Sequence, residues 1–264
     1  MTHKREDGYH EIDTVFYPLA LHDALEFIEH DTMHFDLSGL DIPGASEDNI
    51  VLKAYHLLKN DYPSLPSIHI HLHKTIPTGG GLGGGSSNAA FMLQMLNDEF
   101  SLGLSNIQLG VYALQLGSDC PFFISNQPCH AGGRGELLTP ISLDLSAYRF
   151  ILVFPGIHIH TAKAFDGIKP GMPLRSTELI IQQSVSSWKE ELQNDFEEVI
   201  FHQHPELEQI KQAFYKAGAV YSSMSGSGST MFCMVEKNQL EEVLSNMAEE
   251  RLFNGLGLYI AGGL

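Results

Sequence analysis

Three things are scarce in this sequence. Cysteine occurs three times in 264 residues, at Cys120, Cys129 and Cys233, and no two of them form a CxxC pair. An odd, scattered set of thiols argues against a disulfide framework and reads as reduced cytosolic cysteine. Positive charge is also sparse. The 15 Lys and Arg face 32 Asp and Glu, a net charge of −17, and no basic cluster stands out. Phosphate-backbone binding needs a basic face, so DNA and RNA partners are not expected. Long apolar runs are missing too. No stretch reaches the ~18–20 residues of a membrane helix. The opening MTHKREDGYHEID lacks the apolar segment of a secretion signal. The expectation is a cytoplasmic protein with neither membrane nor nucleic-acid partner.

Other absences are local. There is no internal repeat and no low-complexity linker. No lysine follows the glycine-rich stretch, which excludes a Walker A loop, and HRD and DFG are absent, which excludes a protein kinase.

What is present is a patterned globular chain, 43% hydrophobic. The segments TVFYPLAL, ALEFIEH and MHFDLSG read as strands, and DNIVLKAYHLLKNDYP as a helix stopped by Pro63. SIHIHLHK alternates strictly, with Ile68, Ile70 and Leu72 on one face and His69, His71 and His73 on the other. SSNAAFMLQMLNDEF and SNIQLGVYALQLG follow as helices, then the Gly-rich ribbon HAGGRGELLTPI. YRFILVFPG is a buried strand, and the domain change is set just before it. Helices fill Ser176 to Lys216, with Pro205 at a first helical position. A strand, Gly/Ser loop and strand come next, then a helix and a last strand near LGLYIAGG. The expected class is α+β, sheets backed by helices, with domains at 1–145 and 146–264.

The stretch IPTGGGLGGGSSNAA is the most informative. Six of the seven residues from Gly79 to Gly85 are glycine, interrupted only by Leu82. Glycine loses more conformational freedom on folding than any other residue, so such a run marks a close backbone approach or positive φ. Strand, glycines, then a helix opened by serine N-cap candidates is the order of an anion site. Unpaired N–H groups and the positive end of the helix dipole meet the ligand, and no Cβ holds it away. Ser86 and Ser87 add hydroxyls for a phosphate oxygen or Mg²⁺. Gly79-x-Gly81-x-x-Gly84 also satisfies GxGxxG. A dinucleotide fold would place an acidic strand end about 20 residues on, where this sequence continues as helix.

IPTGGGLGGGSSNAA resembles the phosphate loop of the GHMP kinase superfamily, and further matches run along the chain in order: KREDGYHEIDTVF, EDNIVLKA, LGSDCPFFI, GRGELLTPI, QNDFE and SMSGSGSTMF. The tripled glycines on both sides of leucine are similar to the branch that phosphorylates 4-diphosphocytidyl-2-C-methyl-D-erythritol on its 2-hydroxyl. That resemblance implies a two-domain GHMP fold with mixed sheets and the active site in the cleft between domains. It implies ATP and Mg²⁺ as cofactors, a cytidine diphosphate derivative as substrate, and a monomer or homodimer. Two alternatives stay open: another acceptor within the superfamily, such as homoserine, mevalonate or a sugar, or a module that binds nucleotide only.

By the same resemblance Asp119 is the base for the substrate hydroxyl. Pro77, Thr78, Gly79, Gly80, Gly81, Leu82, Gly83, Gly84, Gly85, Ser86 and Ser87 form the phosphate loop, and Asn49 and Lys74 line the adenosine pocket. Without the resemblance, Asp119 reads as a helix-terminal turn, Asn49 as a helix N-cap and Lys74 as a solvated strand end. Tyr9 and His10 lie at the cytidine end, Phe165 closes an aromatic sandwich from the other domain, and Thr161 sits nearby. Gly226 and Gly228 bring up a second backbone loop. His69, His71 and His73, and likewise His158 and His160, suggest metal ligands, but no cysteine or carboxylate is placed to complete a shell, and no metal site is expected.

The sequence begins at Met1-Thr2-His3-Lys4, already inside the signature. Family members carry a preceding strand with a lysine and an asparagine that reach the reacting groups, and Lys4 matches the signature lysine instead. The expectation is an internal Met within a longer protein, and poor phosphorylation by the 264-residue chain as written.

Overall fold

The computed structural model describes residues 1–6, 8–171 and 175–264. Asp7, within the DGYH signature, lies outside the described residues. The chain divides into two compact units. One comprises Leu21–Thr78 and Gly83–Gln127; the other comprises Met1–Ala20, Gly79–Leu82 and Pro128–Leu264. The glycine run is therefore where the chain leaves one unit for the other and returns.

The amino-terminal strands β1 (His3–Lys4), β2 (His10–Glu11) and β3 (Thr14–Phe16) are short. Then comes the Leu21–Gln127 unit, where β4 (Ala24–Glu29), β5 (His34–Gly39) and β6 (Ile68–Lys74) form a sheet in the order β4-β6-β5. β4 pairs with β6 antiparallel, while β5 pairs with it parallel. Parallel pairing requires a crossover, supplied by helix α1 (Ile50–Asp61). The inward face of β6 is Ile68, Ile70 and Leu72. It packs on α1 and on α2 (Gly84–Glu99) through Val51, Ala54, Leu58, Met92, Leu93 and Leu96. Helix α3 (Asn106–Leu116) opens on a capping box between Ser105 and Gln108, and α4 (Cys120–Ser125) follows directly.

In the other unit, β7 (Cys129–Gly132) and β8 (Leu137–Pro140) are the expected ribbon and add β3 to make the order β3-β7-β8. Strand β9 (Tyr148–Phe154) is followed by helices α5 (Thr161–Asp166), α6 (Thr177–Ile181), α7 (Val185–Glu191), α8 (Phe196–Gln203) and α9 (Pro205–Ala217). Pro205 occupies the start of α9, where its missing N–H costs nothing. Then come β10 (Tyr221–Met224), β11 (Met231–Glu236), α10 (Leu240–Glu249) and β12 (Gly257–Ala261). The antiparallel sheet β10-β11-β9-β12 buries Ile151, Val153, Met231, Cys233 and Val235 against Phe214, Leu207, Ile210 and Val243 of the helices. Among the described residues, no helix is long and apolar enough to cross a membrane.

Candidate active site

In the Leu21–Gln127 unit the site is built on the exit of β6 and the start of α2. The alternation of β6 continues past Leu72, so Lys74 also points inward and is buried. It is not the solvated strand end that the polar flank suggested. Its ammonium pairs with Asp23, and each side chain is only 1% exposed. Asp23 Oδ1 accepts the N–H groups of Thr75 at 2.8 Å and Ile76 at 2.9 Å, and Oδ2 accepts Asn88 Nδ2 at 3.0 Å. Burial pushes the Asp23 carboxyl up. Lys74 and the two backbone donors outweigh it and hold the group below the ordinary carboxylate value.

Helix α2 starts two residues earlier than the serines suggest. Gly83 is its N-cap, with φ of 67°, and Ser86 and Ser87 lie inside the first turn instead of capping it. Left-handed Gly83 turns the chain where a Cβ would press on the Phe123 ring at 3.0 Å. Ser87 N–H donates to Gly83 C=O at 2.8 Å. Among the described residues, no hydrogen bond engages the N–H of Gly83, Gly84, Gly85 or Ser86, so the helix start is an open donor set. Asn49 caps α1, its Oδ1 accepting Val51 N–H at 2.9 Å.

Asp119 occupies the N-cap position of α4, just beyond Gly117, which ends α3. Solvent reaches its side chain, yet the protein packed around the carboxylate disfavours the charge and raises its pKa. A hydrogen bond from Ser118 acts weakly the other way. A carboxylate with a raised pKa is the right kind of group to accept a proton from an alcohol in a transition state.

In the other unit, Gly79–Leu82 lies along the β10–β11 loop. Thr230 N–H donates to Gly80 C=O at 3.1 Å, and Ser225 Oγ donates to Gly81 C=O at 2.9 Å. At Gly81, φ is 81° and a Cβ would run into the Ser225 carbonyl. The carbonyls of Gly80 and Gly81 are thus used, whereas no hydrogen bond among the described residues engages an N–H from Gly79 to Leu82. The β10–β11 loop is itself held from behind. Asn194 Nδ2 donates to the carbonyls of Met224 and Gly226, both at 2.8 Å, and Glu197 Oε1 accepts Met224 N–H at 2.8 Å. Gly226 and Gly228 have φ of 55° and 91°, and a Cβ on Gly228 would meet Met224 Sδ at 2.6 Å. Thr161 Oγ1 and Ser227 Oγ share a hydrogen bond at 3.1 Å.

The aromatic residues lie in this same unit. His10 stacks directly on Phe165, with centroids 5.3 Å apart. Tyr9 carries the Arg134 guanidinium over its ring, 4.7 Å from the centroid. Phe165 also meets Phe196 edge-on at 4.9 Å, which fixes its ring plane.

The histidines of β6 have local partners. His69 Nε2 faces Asp36 at 2.8 Å, His71 Nδ1 faces Glu26 at 2.9 Å, and Ser38 Oγ bridges His71 and His73. Among the described residues, no group of three or more His, Cys, Asp or Glu side chains is placed to hold a metal ion. Pro77 and Thr78 lead into the glycines; Thr78 is exposed and Pro77 half-buried.

The family model for the GHMP kinases N terminal domain matches residues 49–127, and that for the GHMP kinases C terminal matches residues 176–251. Two relatives named 4-diphosphocytidyl-2-C-methyl-D-erythritol kinase are similar over most of their length. One, from Bacteroides thetaiotaomicron, is 48% identical over 240 residues, 89% of this chain and 87% of that protein. The other, from Bacteroides fragilis, is 46% identical over 257 residues, 96% of this chain and 92% of that protein. The chain belongs to the 4-diphosphocytidyl-2-C-methyl-D-erythritol kinase family of GHMP kinases. A crystal structure of 4-(cytidine 5'-diphospho)-2C-methyl-D-erythritol kinase superposes with a TM-score of 0.82 at 28% identity, covering 100% of this chain and 94% of that one. Family membership makes the chain an ATP-dependent phosphotransferase with the α+β GHMP architecture.

Sequence reasoning passed over Asp23 and Asn88, which hold Lys74 and the loop flanks. Asp23 is a single acidic residue in LHDALEF, and its partners lie far along the chain. The alternation of β6 did carry a signal for Lys74, since it falls on the same face as Ile68, Ile70 and Leu72.

Proposed function

We propose that this chain transfers the γ-phosphoryl group of ATP to the 2-hydroxyl of 4-diphosphocytidyl-2-C-methyl-D-erythritol, in the cytoplasm, on the non-mevalonate route to isoprenoid precursors. The observation that carries this reading is the run of backbone N–H groups from Gly79 to Ser86 that no hydrogen bond among the described residues engages, ending in the first turn of α2. Such donors, with glycines that keep Cβ atoms away, fit a polyphosphate better than any neutral ligand. ATP with Mg²⁺ supplies, when bound, the phosphoryl group and the cation that offsets its charge.

The chain's own residues then divide the work. Gly79–Ser86 hold the phosphates by main-chain donors, and Ser87 adds a hydroxyl. Asp119 accepts the proton of the attacking hydroxyl at its carboxylate. Phosphoryl transfer asks little more of a protein than this positioning and charge balance. Tyr9, His10 and Phe165 receive the cytosine, with Thr161 and the Gly226–Gly228 loop against the rest of the substrate. Asn49 and Lys74 flank the nucleotide.

The test is an ADP-release assay with the cytidine substrate, mevalonate and homoserine offered in turn. ADP release with the cytidine substrate alone is expected. Turnover of mevalonate or homoserine without turnover of the cytidine compound overturns the reading.

A further inference from the structure

The Asp23 carboxylate is itself almost wholly buried, yet it gathers donors from both flanks of the glycine run. Its Oδ1 takes the two N–H groups at the strand exit, Thr75 and Ile76, immediately before Pro77. Its Oδ2 takes Lys74 Nζ and Asn88 Nδ2, the latter one turn into α2. Lys74 in turn lies against the helix start: a Cβ on Gly84 would be 3.1 Å from its Nζ. One carboxylate thus joins the end of β6, the buried lysine and the first turns of α2.

A buried ion pair is a weak source of net stability, because desolvation offsets most of the attraction, and apolar replacements of similar volume are often neutral. The two backbone bonds are different. Without Asp23, Ile76 would lose the acceptor of a buried N–H, and the Thr75 and Ile76 bonds set the direction in which the chain enters the loop. We infer that Asp23 is a positioning residue for the nucleotide. It acts through the Thr75 and Ile76 amides and Asn88 to hold the two flanks of the glycine run in register, and nucleotide affinity depends on those bonds more than on the Lys74 charge.

This inference rests on the glycine run being the phosphate loop, and the experiment separates the two. Hydrogen exchange of the wild-type chain with and without the non-hydrolysable ATP analogue AMPPNP reads the loop itself. Protection of Gly79–Ser86 is expected; its absence removes the phosphate-loop reading and this inference with it. Two charge-neutral double variants then read Asp23. D23N/K74M keeps a residue-23 acceptor for the Thr75 and Ile76 amides, whereas D23A/K74M removes it, and both lack the ion pair. Calorimetric titration well below the melting temperature of each variant is expected to give an AMPPNP Kd at least tenfold weaker for D23A/K74M than for D23N/K74M. The Kd for the cytidine substrate should stay within twofold. A merely structural loss would reduce the amount of binding-competent protein and leave both Kd values alone. Equal AMPPNP affinities in the two variants, with loop protection intact, overturn the inference. If D23A/K74M does not fold, Asn88→Ala cuts only the tie to α2. About a threefold weaker AMPPNP Kd is expected there, and an unchanged one overturns the inference.

Discussion

His10 and Phe165 lie face to face, ring centroids 5.3 Å apart and planes inclined by 23°. A third ring cannot pass between them at that separation, since two carbon–carbon contacts of ~3.5–4.0 Å each would be needed. Under the proposed function, a cytosine would have to stack on an exposed face or part the pair. Either way Phe165→Ala removes a stacking surface worth about 1–3 kcal/mol. Initial rates should show the KM for the cytidine substrate raised about five- to a hundredfold, with the KM for ATP nearly unchanged.

Asp119 offers a paired test of activity and stability. Its folded-state pKa is raised by the surrounding protein, so the folded chain holds this proton more tightly than the unfolded chain does. Stability is then lost as pH rises through the interval between the two pKa values. Asp119→Asn should melt at a higher temperature than the wild type at pH 8 and show no such gain under acid conditions where the carboxyl is protonated in both states. On the proposed role of Asp119 as general base, turnover should fall about 10²–10⁴-fold.

Two glycines of the same run should respond in opposite ways. At Gly81 an added Cβ meets the Ser225 carbonyl, and φ is already left-handed. Gly81→Ala is expected to cost about 1–3 kcal/mol in urea unfolding. At Gly85, inside the first turn of α2, the nearest atom to an added Cβ is Ile50 Cγ2 at 3.9 Å. Gly85→Ala should leave stability unchanged or raise it by about 0.5–1 kcal/mol.

Tyr112 Oη donates to Asp61 Oδ2 at 2.6 Å, and this bond, with burial adding to it, pushes the phenol up to about 12. The neutral phenol is the form the fold favours, so its contribution is complete below the ordinary tyrosine value and disappears as pH rises toward 12. Ultraviolet difference titration of wild type against Tyr112→Phe should isolate one phenol ionising near that pH.

Much of the architecture was legible because period and punctuation agreed. Helix α1 ends before Pro63, α3 ends at Gly117 and α9 begins at Pro205, each at a residue that cannot continue or must open a helix. Where rules competed, the boundary moved. Serine is a strong N-cap and glycine a poor helix former, so α2 was expected at Ser86. The left-handed turn at Gly83 instead starts it at Gly84, because helical geometry there demands only a residue that tolerates positive φ. Asn49 as an N-cap was legible from local chemistry. Asp23 was not, since no spacing rule links it to Lys74 and Asn88; the pairing of β4 with β6 brings it beside Lys74, and the packing of α2 on that sheet brings in Asn88. The meeting of His10 with Phe165 was likewise invisible to any local pattern.

The bridge between Leu19 and Gly263, with Ala20 N–H on the Gly262 carbonyl, has a consequence for biosynthesis. The Leu19–Ala20 segment is synthesised long before its partners Gly262 and Gly263, and its unit gains this pairing only once they follow. The intervening Leu21–Gln127 portion needs only a four-residue excursion to be complete and is free to settle early. Chains that lack Gly262 and Gly263 would keep every element of the Leu21–Gln127 unit and lose the clasp of the other.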